Sequence, residues 1–367
     1  MKTPRQLEAE RILAETGGNK TEAARRMGID RKSLRDLIDR GDKHDEAVAA
    51  AMRHVGTEIL PNGMWVKTKP EGDTPGYSVY LRPQSDPVAT FERMRDLFAE
   101  IKPVPLTPAP AYLDDDLASF YGVTDAHLGM QADGRETGED WDLDKGIERL
   151  HNWLGQCIAS SPPSRVGIVL FNGDTIHTDD FSNLTPRSKH SLDVSGRHYR
   201  TVEMSTAAIV YSVDMALQKH EHVICVIMPG NHDPNAYIAL RMGLYYRYLG
   251  NPRVTVHNEP GDFWVYQHGL CMVATYHGHK AKPDRIVMML ADDYAHIWGK
   301  TRFRFLFTGH LHHFKASDIG GMQWEQLRPL SARDANAVSN AYTGRAQLQA
   351  VTLHKERGEV RRVKVNV

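Results

Sequence analysis

The chain has 367 residues, 41% hydrophobic and 25% charged, a balance that supports a large core and two or three domains and excludes wholesale disorder. No apolar run approaches the ~20 residues of a bilayer span, and no apolar stretch follows the charges at the start, so neither a membrane segment nor a signal peptide is expected and the setting reads as cytoplasmic. A net charge of −1 excludes binding to nucleic acid through overall basicity, and three cysteines without a Cys-x-x-Cys pair exclude a disulfide framework or a cysteine zinc site.

Residues 1–45 read as three short helices: Pro4–Ala14, Thr21–Met27 after the Gly17-Gly18-Asn19 break, and Arg31–Asp39 after the Gly28-Ile29 turn, with Asp30 as its N-cap. Two helices joined by a short Gly-containing turn are the helix-turn-helix pattern. The stretch Gly18-Asn19-Lys-Thr21-Glu-Ala23-Ala24 followed by Gly28-Ile29-Asp-Arg31-Lys-Ser-Leu34 resembles the Fis-type helix-turn-helix. That resemblance implies DNA as a partner, Arg31, Lys32, Ser33 and Arg35 as the DNA-facing residues, and a homodimer as the working form. The alternative is a packing or dimerisation module, since Asp30 and Asp36 set negative charge on the same face.

Residues 46–115 read as a small α/β connector, with short strands in Thr57–Lys69 and Tyr77–Arg82 and an amphipathic helix over Pro87–Ile101. The proline-rich stretch 102–110 follows as an extended linker. From residue 116 to 367, apolar runs alternate with amphipathic helices, as in an α/β domain. The runs are Phe120–Thr124, Val166–Phe171, Val223–Met228, Leu270–Thr275 and Phe303–Thr308; a hairpin of Leu348–Leu353 and Val360–Val365 closes the chain. Cys225 and Cys271 lie within these runs and are expected to be buried thiols.

Each of the five runs ends in metal-type ligands: Asp125-Ala-His127, Gly173-Asp174 with His177, Gly230-Asn231-His232-Asp233, His277-Gly-His279, and Gly309-His310-Leu-His312. In α/β sheets, sites form beyond the carboxyl ends of the strands, so the five clusters are expected to converge. On extended backbone, residues two apart point the same way, which would let Asp125/His127 and His310/His312 each serve one cluster. Imidazole, carboxylate and one amide oxygen suit Mn²⁺, Fe or Zn²⁺. The set supplies enough ligands for two such ions.

The ordered motifs D-x-H, G-D, G-N-H-D, H and G-H-x-H resemble the calcineurin-like metallophosphoesterase superfamily over residues 118–315; Asp125-Ala-His127-Leu-Gly and Gly173-Asp174-Thr-Ile-His177 are most similar to its SbcD-type DNA repair nucleases. The resemblance implies an α/β fold, a metallophosphoesterase β-sandwich flanked by helices, preceded here by the small all-α helix-turn-helix domain. It implies a two-metal centre, Mn²⁺ first, with Asp125, His127, Asp174 and His312 on one ion and Asp174, Asn231, His277 and His310 on the other. It further implies in-line attack on a phosphodiester by a metal-bound hydroxide, with His232 and His177 as catalytic residues at the leaving oxygen and the scissile phosphate. His279 and Arg197 are candidate substrate contacts, the latter in a loop over Thr185–Arg200 that could cover the site. The expected function is thus that of a DNA nuclease. The alternatives are a phosphomonoesterase or a phosphodiesterase for nucleotides or cyclic nucleotides, and a non-catalytic DNA-binding adaptor.

Overall fold

The computed structural model describes residues 4–40, 64–67, 78–81 and 108–367. The helix expected over 87–101 and the linker up to residue 107 lie outside the described residues. The chain divides into two compact units, residues 1–100 and 101–367.

In the first unit, α1 (Pro4–Glu15), α2 (Lys20–Arg26) and α3 (residues 31–40) lie within a residue of the expected bounds. Both later helices begin where a side chain satisfies free amides: Asn19 Oδ1 accepts from Thr21 and Glu22, and Asp30 Oδ1 from Lys32 and Ser33. Ala9, Ile12, Ala23, Ala24 and Leu34 form a small core between them. Strands β1 (Met64–Lys67) and β2 (Ser78–Leu81) pair antiparallel, Trp65 opposite Tyr80.

The second unit is a sandwich of two mixed sheets. The first has the order β13-β12-β3-β4-β5-β6 and is built from β3 (Asp114–Val123), β4 (Ser164–Asn172), β5 (His222–Met228), β6 (Val254–Val256), β12 (Gln347–His354) and β13 (Gly358–Asn366). Strands β3 to β6 run parallel, and the closing hairpin joins antiparallel on the β3 side, with Ala350 opposite Val363 and Tyr121. The second sheet has the order β10-β11-β9-β8-β7: β7 (Phe263–His268), β8 (Cys271–Tyr276), β9 (Phe303–Thr308), β10 (Lys315–Ile319) and β11 (Met322–Gln326). Here β8, β9 and β11 are parallel, and β7 and β10 flank them antiparallel.

The central strands β3, β4, β5, β8 and β9 carry apolar runs because both their faces are covered. In β4, Ile168 and Leu170 face the sandwich interior with Val273, Phe305 and Phe307, while Val169 and Phe171 face outward onto helices. After the short α4 (Gly134–Thr137), those helices are α5 (Leu143–Ser160), α6 (His198–Leu217) and α7 (Ala236–Arg247), whose Leu154, Ile209 and Leu240 complete the outer core. On the far side α8 (Pro283–Asp293) packs Ile286, Val287 and Leu290 against Met272 and Leu306. Phe120 and Phe307 stack across the interior with ring centres 4.8 Å apart. All three cysteines are buried; burial was expected for Cys225 and Cys271, and Cys157 joins them.

Candidate metal centre

The carboxyl ends of β3, β4 and β5 from one sheet meet those of β8 and β9 from the other. The backbone that delivers the side chains is not the extended backbone expected from the two-residue spacing. Asp125 (φ 49°), His127 (41°), Asp174 (48°), His310 (73°) and His312 (54°) all lie in the left-handed region. Each such residue costs on the order of 1 kcal/mol or more and persists only where its surroundings hold it. The surroundings are backbone hydrogen bonds between the turns: Asp125 N donates to Gly173 O, His127 N to Asp174 O, and Leu128 N to Thr175 O. Glycines make the approach close enough. A Cβ on Gly230 would fall 2.0 Å from Asp174 Oδ1, and one on Gly173 would fall 2.5 Å from His277 Nδ1.

Two groups of ligand atoms result, each within 4.8 Å of one another: Asp125, His127 and His312, and Asp174, His277 and His310. His312 Nε2 is 3.2 Å from Asp125 Oδ1, and His277 Nε2 is 3.2 Å from Asp174 Oδ2. Asp174 Oδ2 is also 3.8 Å from His127 Nε2, which places one carboxylate between the two groups. Asn231 Oδ1 joins the second group, 3.3 Å from His277 Nε2. Outer hydrogen bonds orient these candidate ligands. His277 Nδ1 faces Asn172 O at 2.7 Å, His310 N donates to both Asp125 oxygens, and Thr124 Oγ1 donates to Asp125 Oδ2.

The donor set fits divalent cations. Burial favours the neutral imidazole at every one of these histidines, and it holds His127 and His310 below the ordinary range. At His277 and His312 the adjoining carboxylates outweigh burial and raise the imidazole, so each group of ligands contains a place that attracts positive charge. Asp233 plays a supporting part. Its two oxygens accept from the amides of Asp174, Thr175, Ile176 and Gly230, tying the β4 and β5 turns together. Burial and the nearby charge of Asp174 push its carboxyl up to about 7.

His232 stands at the mouth of the centre: its amide donates to Asp174 Oδ1 at 2.8 Å, and its Nδ1 faces His177 O at 3.0 Å. His177 lies behind it. It is 2% exposed, with Nδ1 3.1 Å from His127 Nδ1, and burial drives its imidazole down to about 3. His127, His177 and His232 form a third histidine group within 4.8 Å. His279 sits farther out, its ring 5.4 Å from that of His277, with a buried Nδ1 that has no hydrogen-bond partner. Arg197 is exposed at the start of α6.

A cavity of about 680 Å³ opens onto the centre. His127, Asp174, Asn231, His232, His310 and His312 line its floor, whereas His177, His279 and Arg197 do not. Its opposite wall is residues 329–344, including Ser331, Arg333, Asn336 and Tyr342, which sequence reasoning missed. That segment is fastened to the ligand turn, since Leu330 N donates to Thr124 O and Ser331 N to Asp125 O. The one sequence signal for it is the run of small and turn-forming residues between two strands, Ser331-Ala-Arg-Asp-Ala-Asn336.

In the amino-terminal unit, Arg31, Lys32 and Arg35 are exposed on α3. Ser33 is half-buried, and its hydroxyl donates to Asp30 within the helix cap.

The model of the Fis family of bacterial regulatory proteins matches residues 3–37. No curated protein matches the chain. Among solved structures, an archaeal phosphodiesterase aligns at 12% identity over 68% of this chain and 99% of its own, with a TM-score of 0.31. A Streptococcus pneumoniae protein described as a predicted phosphoesterase aligns at 12% identity over 68% and 98%, with a TM-score of 0.27. Vacuolar protein sorting 29 of Cryptosporidium parvum aligns at 12% identity over 69% and 98%, with a TM-score of 0.32. Among the described residues, no helix is long and apolar enough to cross a membrane.

Proposed function

We propose that the second unit is a two-metal phosphodiesterase acting on DNA, similar to the SbcD-type nucleases, with Mn²⁺ as the working ion. The observation that carries this reading is the position of Asp174, whose Oδ2 lies 3.2 Å from His277 Nε2 and 3.8 Å from His127 Nε2, between two groups of ligands. Asp125, His127, Asp174 and His312 would hold one ion, and Asp174, Asn231, His277 and His310 the other. Such a pair supplies Lewis acidity to a phosphoryl group and a more acidic water at neutral pH.

The chain's own groups do the rest. His232 presents its ring to the cavity, with Nδ1 fixed on a backbone carbonyl, so Nε2 is the atom placed to give a proton to the leaving oxygen. His177 acts from behind, where its contact with His127 Nδ1 fixes that ring's orientation. The Fis-type helices would bring DNA to the same chain through Arg31, Lys32 and Arg35. The walled cavity favours a second reading, hydrolysis of a small phosphoester such as a nucleotide.

The test is hydrolysis by the Mn²⁺-loaded full chain of single-stranded DNA, duplex DNA, bis-p-nitrophenyl phosphate and p-nitrophenyl phosphate. Cleavage of DNA and the diester in preference to the monoester is expected. A preference for the monoester overturns the diesterase reading, and hydrolysis of the small diester without any DNA cleavage transfers the site to small substrates.

A further inference from the structure

We infer that residues 181–200 form a finger that grips single-stranded nucleic acid and leads it to the metal centre. This names the substrate class of that centre and rests on the phosphoesterase reading.

The finger is a built element. Leu184 and Ser191 form an antiparallel bridge, Thr185 N donates to His190 O, Lys189 N to Thr185 O, and Leu192 N to Asn183 O. Asn183 (φ 53°) and Lys189 (φ 59°) turn the chain at the two ends of this hairpin. Its returning limb is stitched to the segment that follows the ligand His127: Gln131 N donates to Asp193 O, Ser195 N to Gly129 O, and Met130 pairs with Val194. Met130 itself lines the cavity. At the base, Thr178 Oγ1 and His198 Nδ1 are 3.0 Å apart, one residue beyond His177. The finger is therefore rooted beside His127 and His177, which meet at 3.1 Å.

Its surface chemistry is distinct from that of the chain. Residues 181–200 hold Arg187, Lys189, Arg197 and Arg200 against the single acid Asp193, in a chain whose net charge is −1. Arg187, Lys189 and Arg197 are exposed, whereas Arg200 meets Asp144 at 3.2 Å. Two large rings stand out in the same segment, Phe181 at 69% and Tyr199 at 68% exposure, and Phe181 meets the His198 ring at 5.4 Å. Exposed rings and exposed cations on one short segment match the way unpaired strands are held, with bases stacked on rings and the backbone tracked by positive charge. A duplex keeps its base faces stacked inside and cannot use the rings.

The experiment measures anisotropy of a labelled oligo-dT bound by the full chain, with EDTA present to stop turnover and excess unlabelled duplex to occupy the amino-terminal helices. Wild type is compared with Phe181→Ala/Tyr199→Ala and with Arg187→Ala/Lys189→Ala, after thermal unfolding confirms that each is folded. The ring variant should bind the strand about tenfold more weakly or worse. The charge variant should bind more weakly with a slope of log affinity against log salt shallower by about 1.4. Both should hydrolyse bis-p-nitrophenyl phosphate at the wild-type rate. Strand binding equal to wild type in both variants overturns the inference, as does an equal loss for duplex measured without competitor. If wild type hydrolyses no diester yet the variants lose the strand, the reading of the centre fails and the finger stands.

Discussion

Replacing Gly230 by alanine puts a methyl carbon against the carboxylate that lies between the two groups of the candidate metal centre. The added carbon would lie 2.0 Å from Asp174 Oδ1 and 2.3 Å from Asp174 N, where real Cβ contacts stay beyond 3.0 Å. Neither side can yield cheaply. Asp174 has φ 48°, its amide donates to Asp233, and its Oδ1 accepts from His232 N at 2.8 Å. Gly230 N is itself tied to Asp233 Oδ1 at 2.8 Å. Relief requires about an ångström of movement in the shared carboxylate or in the turn that carries Asn231, and overpacking of this kind costs about 1–3 kcal/mol. At roughly 2–4 °C per kcal/mol, Tm of the chelator-treated protein should fall by several degrees, and calorimetric titration with Mn²⁺ should show lost or much weakened uptake. Gly155→Ala is the control, because a Cβ there meets Met215 Sδ at an ordinary 3.7 Å within α5 and should leave Mn²⁺ uptake unchanged while stabilising by about 0.5–1 kcal/mol. Wild-type Tm and Mn²⁺ uptake in Gly230→Ala would refute the close-approach argument.

Asp174→Asn should lose the most metal of any single ligand change, whereas His232→Ala should keep metal, read by elemental analysis, and lose about 10²–10⁴-fold in turnover; full activity of His232→Ala on a poor leaving group removes its assigned role. His220 gives a pH prediction away from the centre. Burial lowers its imidazole to about 4, with Nε2 2.8 Å from Tyr121 Oη and Nδ1 2.8 Å from Ser164 O. The unfolded chain therefore takes up this proton first on acidification, so the stabilisation is full above about 6.5 and is lost as pH falls towards 4, a difference of roughly 3 kcal/mol. His220→Gln should flatten the decline of Tm between those pH values in EDTA, and an unchanged slope refutes the assignment. The triple change of Arg31, Lys32 and Arg35 to alanine should weaken duplex binding and make its salt slope shallower by about three; superimposable salt curves would make α3 a packing or dimerisation element.

Strands β3, β4, β5, β8 and β9 were legible because burial leaves them as apolar runs, and the candidate ligands read off their carboxyl ends come together in space, whereas the parallel strands β6 and β11 were not read. The helix bounds of the amino-terminal unit were legible because Asn19 and Asp30 announce their caps chemically. The second sheet was legible only in part. β10, Lys315–Ile319, is polar and exposed along most of its length and leaves no apolar signature, although β7, Phe263–His268, carries a run of strand-forming residues that could have been read. The left-handed turns at Asp125, His127, Asp174, His310 and His312 follow from hydrogen bonds between distant segments, which no local pattern contains. The same holds for the 329–344 wall, whose place is set by its bonds to Thr124 and Asp125.

Because the candidate ligands come from both sheets, the proposed centre is also a seam. His127 and His312 lie 185 residues apart in sequence, and an ion gripped by both would close a loop longer than most disulfides do. By the chain-entropy reckoning for cross-links, a tie of that span removes on the order of 5 kcal/mol of freedom from the unfolded chain. The ion would then serve as a rivet as well as a reagent. Its loss would return that freedom to the unfolded chain, while Phe120, Ile168 and Leu170 still hold one sheet against Val273, Phe305 and Phe307 of the other.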